Sequence, residues 1–230
     1  MSFHILRSNL NPKIKGILFD MDGLVLDSEC LYTRFWREAV QKFGYPMTEA
    51  QALGMRSINN TLGQKYLTDL FGPDIDYHAV RALRIQLMDA WIDEHGVQPK
   101  PGIRELLAYL HTHEFPCAIT TSSPLERAKR YLTPLGLYEQ FDEVCSGHDV
   151  AYGKPYPDIY LRGASRLRLA PENCLALEDS PAGIESAFRA GCLPVVIPDL
   201  DQPDDQTLQR CFARADTLSD ICSLLDSINQ

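Results

Sequence analysis

Two aspartates stand one residue apart at the end of an apolar run, where they could carry reaction chemistry. In the segment GILFDMDGLVLDSE, residues 16–29, the apolar residues 17–19 lead directly into Asp20, and Asp22 and Gly23 follow. A carboxylate can attack phosphorus and form an aspartyl-phosphate. A second carboxyl group two residues away can protonate the leaving oxygen and later deprotonate the attacking water. The alternative is a solvated Asp-rich turn.

Polar groups also follow three other apolar segments. PCAITT ends at Thr121 and leads into Ser122, NCLALED ends in Glu178 and Asp179, and the loop after EVCSG carries Lys154. Ligands of parallel α/β sheets bind beyond the carboxyl ends of the strands. We therefore expect these carboxylates, hydroxyls and one ammonium group to meet the two aspartates at one edge of a sheet.

The chemistry of this residue set depends on a cation, because clustered carboxylates repel one another unless positive charge neutralises them. Oxygen ligands without nearby His or Cys favour Mg²⁺ over Zn²⁺. A Mg²⁺ ion flanked by a lysine and by hydroxyl donors suits a phosphoryl group, whose charge spreads over its oxygens in the transition state. The residue types thus indicate Mg²⁺-dependent chemistry on a phosphoryl group.

Ordinary structural roles account for part of the same segments. Ser180 can cap the helix that follows it, and Asp179 can share that role while it also binds a metal. Thr120 and Ser123 are weaker site candidates than Thr121, because alternation along a strand turns about half of its side chains away from the site.

Short apolar segments alternate with helical patterns over most of the chain. Strands are predicted at 15–20, 116–121, 173–179 and 193–198, with a weaker candidate at 143–147, and helices at 103–113, 125–135, 158–169 and 182–191. Strand–helix alternation of this kind predicts an α/β fold: a Rossmann-like parallel sheet with helices on both faces.

The region from about residue 30 to residue 96 breaks the alternation. Three amphipathic helical patterns, each ending at a glycine, occur there at residues 31–44, 59–72 and 76–96. The following GVQPKPG segment, residues 96–102, contains two prolines and two glycines and is typical of a stiff linker. We expect a small helical domain, residues 30–96, inserted between the two pieces of an α/β core, residues 1–29 and 97–230.

Composition argues against several classes of protein. The 230 residues carry 22 Lys and Arg against 31 Asp and Glu, a formal net charge of −9, which disfavours a non-specific nucleic-acid binder. Seven cysteines without a CxxC pair are typical of a reduced, cytoplasmic protein. No apolar stretch approaches the roughly 20 residues of a membrane helix, and the N-terminus lacks a signal core. We expect no nucleic-acid or membrane partner, and a monomer or weak dimer.

Four motifs occur in order, each at the end of a predicted element: DMDG with the downstream LDS (20–28), TTSS (120–123), GKPYPDIY (153–160) and LEDSPAGIESAFRAG (177–191). Together they resemble the haloacid dehalogenase superfamily of phosphotransferases, in the branch with a helical cap inserted after the first strand. The resemblance covers nearly the whole chain. It implies a Mg²⁺-dependent enzyme acting on a small phosphorylated metabolite, with residues 30–96 as the cap domain.

The resemblance also implies catalytic roles for the matching residues. Asp20 would be the nucleophile and Asp22 the acid/base. Thr121 and the backbone of Ser122 would bind the transferring phosphoryl group. Lys154 would hold the nucleophile and the phosphate oxygens in place.

Metal and substrate contacts are implied in the same way. Asp179 would ligate Mg²⁺ directly, and Glu178 would do so directly or through water. Asp20 and the backbone carbonyl of Asp22 would complete the protein ligands. In the cap, LGMRS at 53–57 could project Arg56 toward the substrate, where a guanidinium suits a second phosphate or a sugar hydroxyl. A surface arginine at a helix start is the alternative.

Three functions compete on these grounds: a phosphatase, a β-phosphoglucomutase-like mutase and an inactive binding protein of the same fold. The binding protein is disfavoured because every carboxylate that the chemistry needs is present. The family's mutases use a histidine in the first cap helix, and Tyr32 stands at that position here, which favours hydrolysis. We predict a phosphatase acting on a sugar or polyol phosphate through an aspartyl-phosphate.

Overall fold

The computed structural model describes residues 3–10, 12–55 and 60–228, in which the chain forms two compact units. One unit comprises Met1–Leu26 and Pro99–Gln230, and the other comprises Asp27–Gln98. The helices are α1 (Glu29–Lys42), α2 (Glu49–Leu53), α3 (Asn60–Phe71), α4 (Tyr77–His95), α5 (Ile103–Thr112), α6 (Leu125–Leu132), α7 (Asp158–Arg166), α8 (Pro181–Arg189), α9 (Asp205–Arg210) and α10 (Asp220–Ile228).

The larger unit contains one sheet, which has seven strands within the described ranges. These are β1 (Phe3–Ile5), β2 (Gly16–Phe19), β3 (Cys117–Thr121), β4 (Glu143–Ser146), β5 (Cys174–Glu178), β6 (Leu193–Val196) and β7 (Ala213–Ala215). They pair in the order β1-β7-β6-β5-β2-β3-β4. Neighbouring strands are parallel except β1, which runs antiparallel to β7. This confirms the predicted α/β fold with a mostly parallel, Rossmann-like sheet.

Strand β2 lies in the interior of the sheet, with β5 on one side and β3 on the other. All four of its residues are buried, as are all five residues of each neighbour. A strand that is buried on both faces reads as a continuous apolar run rather than as an alternation, which is why these segments stood out in the sequence. The carboxyl ends of the three strands lie side by side at the same edge of the sheet.

Helix α7 packs closely onto the sheet because it presents Gly163 to the strands. A Cβ atom at this position would lie 2.6 Å from Cγ2 of Thr120 and 3.1 Å from Cδ2 of Leu18. The side chains of Ile159 and Tyr160, on the same helix, are buried with Leu18 in one core cluster. The glycine therefore lets α7 carry an aromatic residue close to the central strands.

The smaller unit is built from α1 to α4, and its core is largely aromatic and aliphatic. Trp36 of α1 stacks on Tyr77 of α4 with ring centroids 5.9 Å apart, and Leu67 of α3 is fully buried in the same cluster. Arg84 is buried as well, with its guanidinium carbon 4.8 Å from the ring centroid of Tyr32. The predicted amphipathic helices are thus present, with their apolar faces packed together.

Several short elements escaped prediction. The edge strand β1 has one half-buried and two exposed residues, and β7 is three residues long, so neither shows a readable hydrophobic period. Helix α9 contains six mostly polar residues in a segment that reads as a solvated loop. The helices of the described residues include none with the length and hydropathy that membrane crossing requires.

Candidate active site

Strand β2 delivers Asp20 to the middle of the carboxyl edge of the sheet. The backbone N–H of Asp20 still pairs with the carbonyl of Leu177 in β5, at 3.0 Å. The chain then turns sharply, and the N–H of Gly23 donates to the carbonyl of Leu26 at 2.9 Å. Gly23 has a φ of +86°, a conformation that is strained for residues with a side chain. The glycine therefore permits the turn that follows the first aspartate.

Three carboxylates from the two neighbouring strands β2 and β5 converge beyond this edge. Asp20, Glu178 and Asp179 each offer one oxygen, and these oxygens lie within 4.8 Å of one another. Asp20 and Glu178 are buried and Asp179 is half-buried. Carboxylate oxygens are the donors that Mg²⁺ and Ca²⁺ prefer, so this donor set fits a divalent cation of that class. The structure thus brings together the side chains that the sequence predicted as metal ligands.

Lys154 bridges two of these carboxylates. Its Nζ lies 2.5 Å from Oδ1 of Asp20 and 2.6 Å from Oε1 of Glu178, and its side chain is 8% exposed. Burial by itself would lower the pKa of Lys154, but the two carboxylates outweigh burial and raise the pKa above the ordinary lysine value. The two carboxylates therefore favour the positively charged form of the lysine beside Asp20.

The positive charge of Lys154 is not enough to keep the pKa of the Asp20 carboxyl group at its ordinary value. Burial, with a smaller contribution from the neighbouring Glu178, raises the pKa of the Asp20 carboxyl to about 8, although Lys154 acts in the opposite direction. A cation held by the cluster would lower this pKa and favour the ionised form, because opposite charge within a few ångströms stabilises a carboxylate. The electrostatics of the site therefore also fit a divalent cation.

Glu178 is fully buried and is held through both of its oxygens. Oε2 accepts hydrogen bonds from the backbone N–H and the hydroxyl of Ser180, at 3.3 and 3.0 Å. Oε1 accepts from Lys154 and from the hydroxyl of Tyr160, at 2.6 and 2.7 Å. Ser180 also caps α8, as expected, since its Oγ accepts from the N–H of Gly183 at 3.1 Å. The start of α8 is thereby tied directly to the carboxylate cluster.

The two predicted phosphate-binding residues at the end of β3, Thr121 and Ser122, differ in their exposure to solvent. Thr121 is buried and its Oγ1 accepts from the backbone N–H of Ser123 at 3.0 Å, whereas Ser122 is exposed. Thr120 is also buried, and its hydroxyl donates to the carbonyl of Phe19 at 3.1 Å. The β3 edge thus offers one threonine side chain and one exposed serine.

Ser123 contacts the second aspartate, which the sequence did not suggest. Its hydroxyl donates to Oδ2 of Asp22 at 2.9 Å. The low ranking of Ser123 rested on strand alternation, but β3 ends at Thr121, and side chains beyond that point no longer alternate. Ser146, at the end of β4, fixes the loop by donating to the carbonyl of Ser123.

Two other residues complete the comparison with the sequence. Tyr160 was not singled out, because an aromatic residue in an amphipathic helix is indistinguishable from an ordinary core residue until its partner Glu178 is known. Arg56, predicted as a substrate contact, lies outside the residues that the structure describes. Its proposed role stays a prediction.

The parallel sheet, the inserted helical unit and the carboxylates at the ends of β2 and β5 together define a class of hydrolase. The chain belongs to the haloacid dehalogenase-like hydrolase family, whose model matches residues 14–191. This span contains all four motifs identified in the sequence. The resemblance on which the functional expectations were based is therefore confirmed.

Two curated phosphatases and one solved structure are among the individual proteins that this chain resembles. Hexitol phosphatase A of Escherichia coli is 33% identical over 189 residues, which cover 80% of this chain and 83% of that protein. A phosphorylated carbohydrates phosphatase of Thermotoga maritima is 30% identical over 178 residues, covering 77% of this chain and 82% of that protein. The crystal structure of a β-phosphoglucomutase from Clostridium difficile has a TM-score of 0.77 at 20% identity, covering 94% of this chain and 97% of that chain. This last likeness shows a shared fold.

Proposed function

We propose that the protein is a Mg²⁺-dependent phosphatase that hydrolyses a small phosphorylated sugar or polyol. The observation that carries the proposal is the position of Lys154, which lies within hydrogen-bonding distance of Asp20 and Glu178 in a cluster that also contains Asp179. A buried nucleophile, a fixed positive charge and a cation-binding donor set in one place are what phosphoryl transfer requires.

Asp20 is the nucleophile in this proposal, and it attacks phosphorus to form an aspartyl-phosphate while the substrate alcohol leaves. Asp22 donates a proton to the departing oxygen and then accepts one from the water that hydrolyses the intermediate. The bond from Ser123 to Asp22 supports this role, since it fixes the orientation of the second carboxyl group. Thr121 and the Ser122 backbone bind the phosphoryl oxygens at the end of β3.

Asp20, Asp179 and the backbone carbonyl of Asp22 are the proposed Mg²⁺ ligands, with Glu178 binding directly or through water. The bound cation supplies neutralising charge to the carboxylates and to the phosphoryl oxygens. Lys154 supplies a second positive charge, which keeps Asp20 in place and faces the phosphoryl oxygens. Residues 30–96 are proposed to be the cap domain of a core formed by residues 1–29 and 97–230, and Arg56 to contact the substrate.

The sugar or polyol class of substrate is proposed from the relatives, two of which are named as phosphatases of hexitols and of phosphorylated carbohydrates. A mutase is less well supported, because Tyr32 replaces the histidine that the family's mutases use. The Tyr32 ring packs beside the guanidinium of Arg84, a cation that would oppose a protonated group at this position.

All seven cysteines are free thiols, which supports the proposed location in a reducing cytoplasm.

Product analysis with purified protein tests the proposal. The protein is incubated with hexitol phosphates, hexose 6-phosphates, fructose 1-phosphate and glucose 1-phosphate, with Mg²⁺ or with EDTA, and inorganic phosphate and remaining sugar phosphates are quantified. We expect Mg²⁺-dependent release of phosphate in stoichiometric amounts with the free alcohol. Conversion of one sugar phosphate into an isomer without free phosphate would instead establish a mutase.

The matched variants Asp20→Asn and Asp74→Asn separate chemistry from folding. Asp74 is an exposed residue in the turn between α3 and α4, and its variant should keep full activity. Asp20→Asn should fold normally, as measured by circular dichroism, and should release no phosphate. Turnover by Asp20→Asn would rule out this residue as the nucleophile.

A further inference from the structure

Tyr160 brings a phenol hydroxyl to the buried side of the carboxylate cluster, although its ring belongs to the hydrophobic core. The residue is 0% exposed and shares a core cluster with Leu18 and Ala176 of the central strands. Its Oη donates to Oε1 of Glu178 at 2.7 Å. A phenylalanine would fill nearly the same volume without this bond, so packing alone does not explain the hydroxyl.

The Tyr160 hydroxyl is one of four donors that together occupy the Glu178 carboxylate. Tyr160 and Lys154 share Oε1, and two donors of Ser180 share Oε2. An ionised carboxylate only accepts hydrogen bonds, so the neighbouring residues supply the donor in each of these contacts. Different residues therefore hold the two oxygens, and loss of the Tyr160 donor leaves Lys154 as the partner of Oε1 among these contacts.

Tyr160 also contacts the lysine that bridges the site. The Nζ of Lys154 lies 5.2 Å from the centroid of the Tyr160 ring, within the range of a cation–π interaction. The same Nζ is bonded to Glu178 and Asp20. Movement of Glu178 would therefore draw Lys154 away from the position in which it holds Asp20.

We propose that Tyr160 is a positioning residue of the active site: its hydroxyl orients Glu178, and Glu178 in turn sets the positions of Lys154 and of the carboxylates that bind Mg²⁺. The inference rests on the proposed function for the identity of the metal site. A phenol keeps its proton at neutral pH, so the Tyr160 hydroxyl acts as a donor to the Glu178 carboxylate. The residue does not itself exchange protons with substrate.

The test compares Tyr160→Phe with Tyr131→Phe in the full-length protein. Tyr131 in α6 is 1% exposed, so its variant removes an equally buried hydroxyl from the same unit. Mg²⁺ affinity is measured without substrate, from calorimetric titration and from the rise of the thermal midpoint with Mg²⁺ concentration. We expect Tyr160→Phe to bind Mg²⁺ about tenfold more weakly, as is typical when an outer partner of a metal ligand is removed, with Tyr131→Phe unchanged.

A double-mutant cycle with Glu178→Gln shows whether the effect passes through Glu178. If Tyr160 acts by orienting the carboxylate, Tyr160→Phe will have no added effect on Mg²⁺ affinity in the Glu178→Gln background. Equal losses in both backgrounds, or unchanged Mg²⁺ affinity in Tyr160→Phe alone, would overturn the inference. Weakened Mg²⁺ binding in a protein that hydrolyses no phosphate ester would instead support the inference and refute the proposed function.

Discussion

The hydroxyl of Ser123 donates a hydrogen bond to Oδ2 of Asp22, although the two residues are 101 positions apart in the chain. The bond joins the loop after β3 to the turn after β2, two adjacent strands of the sheet. Ser123 is itself held, because its backbone N–H donates to Thr121 and its carbonyl accepts from Ser146. The second carboxyl group of the site is thus oriented by a neighbouring loop whose own position is determined.

Replacement of Ser123 by alanine should lower kcat while leaving the fold intact. The variant loses one hydrogen bond to a charged group, which contributes about 1.5–3 kcal/mol, so we expect kcat to fall by about tenfold to a hundredfold. KM should change less, because the bond restrains Asp22, the proposed acid/base, rather than the substrate. Steady-state kinetics on the best substrate of the panel measure both constants. Ser227→Ala, which removes a hydroxyl bonded within α10, is the control and should have no effect.

Removal of the Lys154 charge should lower stability and make stability depend more strongly on Mg²⁺. Lys154→Met leaves Asp20 and Glu178 buried without their shared cation, and breaking a buried ion pair of this kind costs about 3–5 kcal/mol. Because the remaining carboxylates repel one another, Mg²⁺ should stabilise the variant more than it stabilises the wild type. Urea unfolding with and without Mg²⁺ measures the difference. Equal stabilisation of both proteins by Mg²⁺ would contradict the proposed sharing of the carboxylates between lysine and metal.

A methyl group at position 183 should disturb the carboxylate cluster by displacing Glu178. A Cβ atom on Gly183 would overlap the carboxylate of Glu178, so Gly183→Ala must displace either that side chain or the start of α8. We expect at least a tenfold loss of Mg²⁺ affinity, as is typical when a residue that positions a metal ligand is disturbed, if Glu178 belongs to the proposed metal site. Gly153→Ala is the matched control, because its added methyl group would meet nothing within 4 Å. Normal Mg²⁺ binding by Gly183→Ala would show that Glu178 tolerates displacement.

The buried cysteines should make the fold sensitive to alkaline pH. Burial raises the pKa of Cys117, Cys174 and Cys211 to about 12, whereas the pKa of a cysteine thiol in the unfolded chain is about 8.5. Above the unfolded value the unfolded chain loses protons that the native chain keeps. The free energy of unfolding therefore falls as pH rises from about 8.5 toward 12. Urea titrations at pH 7.5 and pH 10 measure this decrease, and a stability that rises with pH would contradict it.

Thiol reactivity checks the same difference in burial. In the native protein a thiol reagent should modify the exposed Cys30 first, and the three cysteines named above should react only as the chain unfolds. Cys30→Ser should remove the fast phase of modification. A fast phase that persists in this variant would mean that the half-buried Cys222 or one of the buried cysteines is accessible.

The order of most elements and the set of candidate reactive groups could be predicted from the sequence, because both depend on local sequence patterns. Buried parallel strands appear as continuous apolar runs, and the polar residue types after β2 and β5 indicate a cation and a phosphoryl group on chemical grounds. The short strands β1 and β7 carry too few residues for such a pattern, and their pairing depends on partners far away in the chain.

What only the tertiary structure decided is which side chains hold the reactive groups. Ser123 reaches Asp22, and Tyr160 reaches Glu178, because adjacent strands and the close approach of α7 at Gly163 bring together residues from distant segments. A hydroxyl in a loop or on an aromatic ring has no local signature of its partner, since hydrogen bonds depend on distances of about 3 Å that arise only after folding. The sequence by itself determined the family, the fold class and the candidate reactive groups, and folding decided how those groups are oriented and charged.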